Sequence, residues 1–180
     1  MAQLWLTEYK MKSSLLAALL TVGAAVSAYQ AKPPAIPAAA GVATGTVQTG
    51  PLKVALAHAY VSGPIGTDDP VYQVVLTDTP LPEAAIAKEV VHFGGQGMLR
   101  AAQVSGISLL VDATGFVRNV VPFIGADMRG SRMLASAGDL TSFTVKGGRV
   151  TGQGQQTAEQ TNQGWSYSAS WNATLRPPAK

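Results

Sequence analysis

The chain has no cysteine, two histidines among 180 residues, and only 13% charged and 7% aromatic residues. The missing cysteine excludes disulfides, thiolate metal sites, thiol nucleophiles and lipid attachment through a cysteine. A histidine-based metal site would need both His58 and His92 together with carboxylates. These two lie far apart in the chain, without H-x-H or H-x-x-x-H spacing. The charged share is well below the ~25% usual for soluble domains. Mean hydropathy is nevertheless only +0.17, too low for several membrane spans. Disorder is disfavoured as well, because 47% of the residues are hydrophobic and disordered chains are apolar-poor and charge-rich. No G-x-S-x-G elbow and no G-x-x-x-x-G-K-[ST] loop occurs. Gly94-Gly95-Gln96-Gly97 lacks the lysine of a phosphate cradle and reads as a loop.

What is present at the N-terminus is an address. Lys10 and Lys12 precede the apolar run Leu15 to Val26, and Val26-Ser27-Ala28 then offers small residues before Tyr29. That run fits the ~7–15 residues of a signal-peptide core. It falls short of the ~20 needed to span a bilayer. Residues 1–28 are therefore expected to be a signal peptide, with Met11 as a second candidate start, and the product to be periplasmic or secreted. Removing them takes away Lys10, Lys12 and Glu8, which lowers the formal charge by one, from +3 to about +2. The remaining basic residues are scattered, densest at Arg129 and Arg132 beside Asp127. Nucleic-acid binders cluster theirs on one face, so nucleic acid is not an expected partner. No membrane span is expected after cleavage.

Residues 29–43 hold three prolines and six alanines and almost no large apolar side chain. Proline fixes φ and removes a donor, so an extended linker is expected there. The domain is expected from Thr44 to Lys180, enough chain for one core.

Its clearest strand runs from Trp165 to Leu175. Trp165, Tyr167, Ala169, Trp171, Ala173 and Leu175 share one parity, and Ser166, Ser168, Ser170, Asn172 and Thr174 share the other. Period-2 alternation places one set in a core and the other in water. Lys146-Gly147-Gly148-Arg149 reads as a type I′ hairpin between Leu140–Val145 and Val150–Gly152. Asp112-Ala113-Thr114-Gly115 reads as a second hairpin between Ile107–Val111 and Phe116–Val121. Further strands are expected at Val42–Gln48, Leu52–Val61 and Val71–Thr77. In Leu52–Val61 the bulky set Val54, Leu56, His58 and Tyr60 is expected to face the core. One short helix is expected over Pro82–Val91, with proline at its start and Gly94-Gly95 as a stop. The fold class is all-β: an antiparallel β-sandwich or small barrel with one short helix. An outer-membrane barrel fits poorly, since its strands need ~9–11 residues with an apolar lipid face.

Chemistry-bearing residues are few. His58 is read as half-buried on a strand, where a lone histidine is ordinarily structural. His92 is read as a surface-loop residue; the alternative is that His58 and His92 meet Asp78 or Asp112 for metal or acid–base work. Asp68-Asp69, between Gly66 and Pro70, reads as a turn. The acidic residues give no ground for choosing a glycosidase pair. The Trp165, Tyr167 and Trp171 stripe reads as core, with a sugar- or lipid-binding groove as its alternative. His58, Tyr60, Asp78, Trp165 and Trp171 are the candidate ligand-binding residues. No catalytic set, resident metal or cofactor is assigned.

His58-Ala59-Tyr60, followed by Leu76-Thr77-Asp78-Thr79-Pro80-Leu81, resembles a pattern in bacterial secreted and periplasmic all-β domains of unknown function. A glycine-containing hairpin and a last aromatic strand there are similar to Gly147 to Leu175 here. The resemblance covers about two-thirds of the mature chain and implies an exported β domain, with no activity attached.

Three functions follow as expectations. The first is a non-catalytic binding or cell-envelope accessory module, with an envelope protein as one possible partner. The second is a carrier of a small apolar ligand inside a barrel. The third is a metal-dependent hydrolase using His58 and Asp78.

Overall fold

The computed structural model describes residues 41–86, 103–125, 134–161 and 164–178, with backbone only for 134–139. The apolar run Leu15 to Val26, His92, the glycine-rich residues 94–97, Arg129 and Arg132 lie outside them.

The described residues form an all-β fold built on one continuous sheet. Its strands are β1 (Gly41–Thr49), β2 (Leu52–Ala55), β3 (His58–Ile65), β4 (Val71–Thr77), β5 (Gly106–Asp112), β6 (Phe116–Phe123), β7 (Leu134–Asp139), β8 (Ser142–Lys146), β9 (Arg149–Gln156) and β10 (Trp165–Arg176). The order across the sheet is β7-β6-β5-β4-β3-β1-β10-β9-β8, with β2 beside β1. Pairing is antiparallel, except where the end of β10 runs parallel to β3 at Leu175↔Val61 and Arg176↔Ser62. The sheet curls as a half-barrel, the outcome expected when many twisted strands share one sheet. Tyr72 on β4 meets Phe143 on β8 across the curl, ring centres 5.6 Å apart. The Leu140 N–H donates to the Gly115 carbonyl at 3.0 Å, tying the start of β8 to the β5–β6 hairpin.

Several strands match their sequence signals closely. β4 has the expected limits, and β10 gains only Arg176. Burial along β10 alternates as its pattern requires. The β8–β9 turn places Gly147 at φ 58° and Gly148 at φ 73°, the two positive values a type I′ turn demands.

Other expectations need correction. β1 starts at Gly41 and buries Ala43, so it takes in the last three residues of the stretch read as linker. Leu52–Val61 is not one strand. Pairing with β1 changes register between Thr46↔Ala55 and Val42↔His58. β1 has three residues in this interval and the partner has two, Leu56 and Ala57, while β1 keeps one register with β10 from Val42 to Thr49. A one-residue slip exchanges the faces of a strand. Val54 and Leu56 therefore share the main core with Ala59 and Val61, whereas Tyr60 points to the other side. β7 had no sequence signal. Of the helix expected over Pro82–Val91, α1 (Glu83–Ala85) is described and residues 87–91 lie outside the described residues. A second helix, α2 (Ala158–Thr161), precedes β10.

The main core lies on the concave side of the sheet. It joins Val47, Val61, Val74, Leu76, Ile107 and Leu109 to Trp165, Tyr167 and Trp171, among others. A second, smaller core lies on the opposite side: Tyr60, Val75, Leu81, Ile86, Val104 and Phe123. β3 and β4 are thus covered on both faces, while β9 and β10 are covered on one.

Candidate functional site

The aromatic stripe of β10 is core. Trp165 is 2% exposed and Trp171 is 4% exposed. Trp171 stands opposite Gly152 on β9, and Ala169 stands opposite Gly154. A Cβ on Gly152 would lie 2.2 Å from Trp171 Cζ2, and one on Gly154 would lie 3.2 Å from the Tyr167 hydroxyl and 2.5 Å from Leu140 Cδ2. The two glycines leave the space that these side chains occupy, the packing known from aromatic cover of strand glycines. Both indole Nε1 atoms are buried without a hydrogen-bond partner. Each unsatisfied buried donor lowers stability, a cost set against the large apolar area the two rings bury. Burial also pushes the Tyr167 phenol up to about 12.

His58 and Tyr60 on β3 and Asp78 just past β4 lie in one region of the sheet. His58 is half-buried opposite Thr77. Among the described residues no hydrogen bond or ion pair joins it to Asp78. The Asp78 carboxylate accepts from the Ser105 N–H at 3.0 Å and from the Thr79 hydroxyl at 3.2 Å. The Asp78 N–H donates to the Ser105 carbonyl at 2.9 Å. This double tie fixes the chain leaving β4 to the chain entering β5. Three residues on, the Leu81 N–H donates to the Tyr60 hydroxyl at 2.8 Å. Burial raises the Tyr60 phenol above its ordinary value, although the Leu81 hydrogen bond pulls the other way. Tyr60 is 1% exposed in a closed cluster rather than a cleft.

Asp112, Arg118, Asp69 and Arg149 are also engaged. Asp112 Oδ1 accepts from the Thr114 N–H (2.9 Å), the Thr114 hydroxyl (2.6 Å) and the Phe116 N–H (3.1 Å). Its other oxygen meets Arg118 at 3.2 Å. Burial opposes ionisation of Asp112, but the bonds from Thr114, Phe116 and Arg118 together outweigh it, so its pKa falls below the usual carboxylate value. Arg118 also grips Asp69, with Nη2 to Oδ1 at 2.8 Å and an Nη1–Oδ2 ion pair. The Asp68-Asp69 turn is thereby clipped to β6. Arg149 donates twice to Asn172 Oδ1, at 2.9 and 2.7 Å. Among the described residues no three metal-ligating side chains gather, and no helix is long and apolar enough to cross a membrane.

What remains accessible is the outer face of β1, β10 and β9. Cross-strand register aligns Thr46–Ser168–Gln155 in one row and Thr44–Ser170–Gln153 in the next. Thr44, Ser168, Gln153 and Gln155 are exposed, and Thr46 and Ser170 are half-exposed. Thr44 and Ser170 hydroxyls share a hydrogen bond of 2.8 Å. At one end of the rows lies an open cleft of about 310 Å³, bordered by Thr46, Ser168 and Gln155 and walled by Thr157 and Ala158 at the start of α2. The sequence signal for half of this face was the polar parity of β10. Its continuation on β9 was hidden because Gly152 and Gly154 do not resemble buried strand positions.

No family model, curated protein or solved structure matches the chain.

Proposed function

We propose that this chain is an exported, non-catalytic binding domain of the bacterial cell envelope. The N-terminal charge, apolar core and small-residue motif support export to the periplasm or medium. The observation that carries the binding reading is the division of labour among side chains. Asp69, Asp78, Asp112, Arg118 and Tyr60 each hold neighbouring chain in place, whereas the uncharged outer rows face solvent beside a cleft. Catalysis by acid–base pairs requires groups aimed at a shared space, whereas Asp78, Asp112 and Tyr60 accept from backbone N–H groups and Arg118 binds Asp69 and Asp112. The concave side is filled by Trp165, Tyr167, Trp171 and their neighbours, which supports surface contact over carriage of an apolar ligand inside.

The test is expression of the full chain with fractionation and mass spectrometry, followed by incubation of the purified product with ester, glycoside and phosphoester substrates and with envelope fractions. The reading expects processing after Ala28, retention on envelope material and no turnover. Turnover abolished by His58→Ala would overturn it in favour of a hydrolase.

A further inference from the structure

We propose that the outer face of β1, β10 and β9 binds a neutral polysaccharide, with the cleft beside α2 taking one sugar of that chain. This inference rests on the binding reading above and names its ligand class. The two rows Thr46–Ser168–Gln155 and Thr44–Ser170–Gln153 present hydroxyls and amides only. Adjacent strands stand about 4.8 Å apart and successive outward residues about 6.8 Å apart, so the six groups form a small lattice. Each hydroxyl and each amide both donates and accepts. Sugar hydroxyls have the same dual capacity, so a polyhydroxy chain can meet the lattice without leaving either partner unsatisfied.

Other ligand chemistries fit these rows less well. An anionic polymer calls for charge-assisted bonds from arginine or lysine, and neither row carries a charge. Arg149, at the margin of the face, is already bonded to Asn172. A protein partner calls for aromatic, methionine or arginine anchors, and the rows have none. The aromatic rings of β10 point to the opposite face. The cleft supplies the concavity that a flat lattice lacks. Its volume of about 310 Å³ lies at the low end of the ~300–1,000 Å³ of ligand sites. It is continuous with the first row, because Thr46, Ser168 and Gln155 belong to both.

The test is affinity gel electrophoresis of the purified mature chain through gels containing dextran, amylose, laminarin or mannan, with dextran sulfate as the anionic control. The expected result is retardation by at least one neutral polymer. Ser168→Glu and Gln155→Glu should each weaken it by about tenfold, since each replaces a dual donor–acceptor with a charge lacking a partner. Thr67→Ala, at the β3–β4 turn, should leave it unchanged. Thermal melts confirm that the variants remain folded, and Ser168→Ala serves as a milder second variant. No retardation by any neutral polymer, equal retardation of wild type and both charge variants, or retardation by dextran sulfate alone would overturn the inference. If envelope fractions still retain the protein, the binding reading survives that failure. Turnover of a substrate in the activity screen would instead remove the binding reading itself.

Discussion

The two halves of the sheet use the same strand geometry differently. In β9 and β10 buried and accessible residues alternate almost without exception. In β3 and β4 the run from Ala59 to Gly63 and the run from Val74 to Thr77 are buried on both faces. Antiparallel strands can leave one face in water, and strands covered twice read as continuous apolar runs. The difference here is made by chain outside the sheet: Leu81, Ile86 and Val104 close over Tyr60 and Val75. The doubly covered half is scaffold, and the singly covered half is left with a free face.

The strongest way to break this comparison is to damage the singly covered half from inside. Trp171→Ala should destabilise by about 3–5 kcal/mol, as for other buried large-to-alanine changes. Gly152→Ala should destabilise by about 1–3 kcal/mol through overpacking, because the new Cβ would lie 2.2 Å from the Trp171 ring. Denaturant melts check both. If Gly152→Ala is neutral, the ring does not rest on that strand.

The doubly covered half is tested by Tyr60→Phe. The variant leaves the buried Leu81 N–H without its acceptor, and a loss of about 1–3 kcal/mol is expected. Asp112→Ala should cost about 1–2 kcal/mol, since two N–H groups, a hydroxyl and Arg118 lose their acceptor. The Asp112 contribution also has a pH signature. Its folded pKa lies below the ordinary aspartate value, so its stabilisation is fully present above that ordinary value and is lost as pH falls through the folded pKa. Wild type and Asp112→Ala should therefore converge in stability under strong acid.

At the alkaline end the sign reverses. Tyr167 is raised to about 12 from 10.0, so the folded state keeps a proton that the unfolded state releases. Stability should decline from about pH 10 toward pH 12, and Tyr167→Phe should flatten that decline in melts at graded pH. The smallest effect belongs to the free face. Ser168→Ala or Gln155→Ala should change stability by less than about 0.5 kcal/mol, as surface substitutions do. A larger loss would mean that the face is covered after all.

The legibility of the sequence follows the same division. β10 can be read from alternation alone, and the Gly147-Gly148 turn from φ requirements, because both signals are local. The inversion of faces between Leu56 and Ala59 is not readable, because it follows from the change of register against β1, which only the tertiary pairing sets. β9 is under-read past Gly152, because its buried positions are glycines whose space belongs to rings on β10. The role of Asp78 is invisible for a related reason: its partner Ser105 lies 27 residues away. Of the candidate site residues, Trp165 and Trp171 fall where alternation places core, and His58, Tyr60 and Asp78 gather around a chain tie that only the tertiary pairing creates.

The central claim is that contact is made on the free face and not around His58. Amide chemical-shift mapping of the purified chain, titrated with soluble oligosaccharides of whichever neutral polymer retards it, tests this most directly. The account predicts shifts concentrated at Thr46, Gln155 and Ser168, with His58, Tyr60 and Asp78 unmoved. Shifts centred on His58 and Asp78, with the β1–β10–β9 face silent, would contradict it.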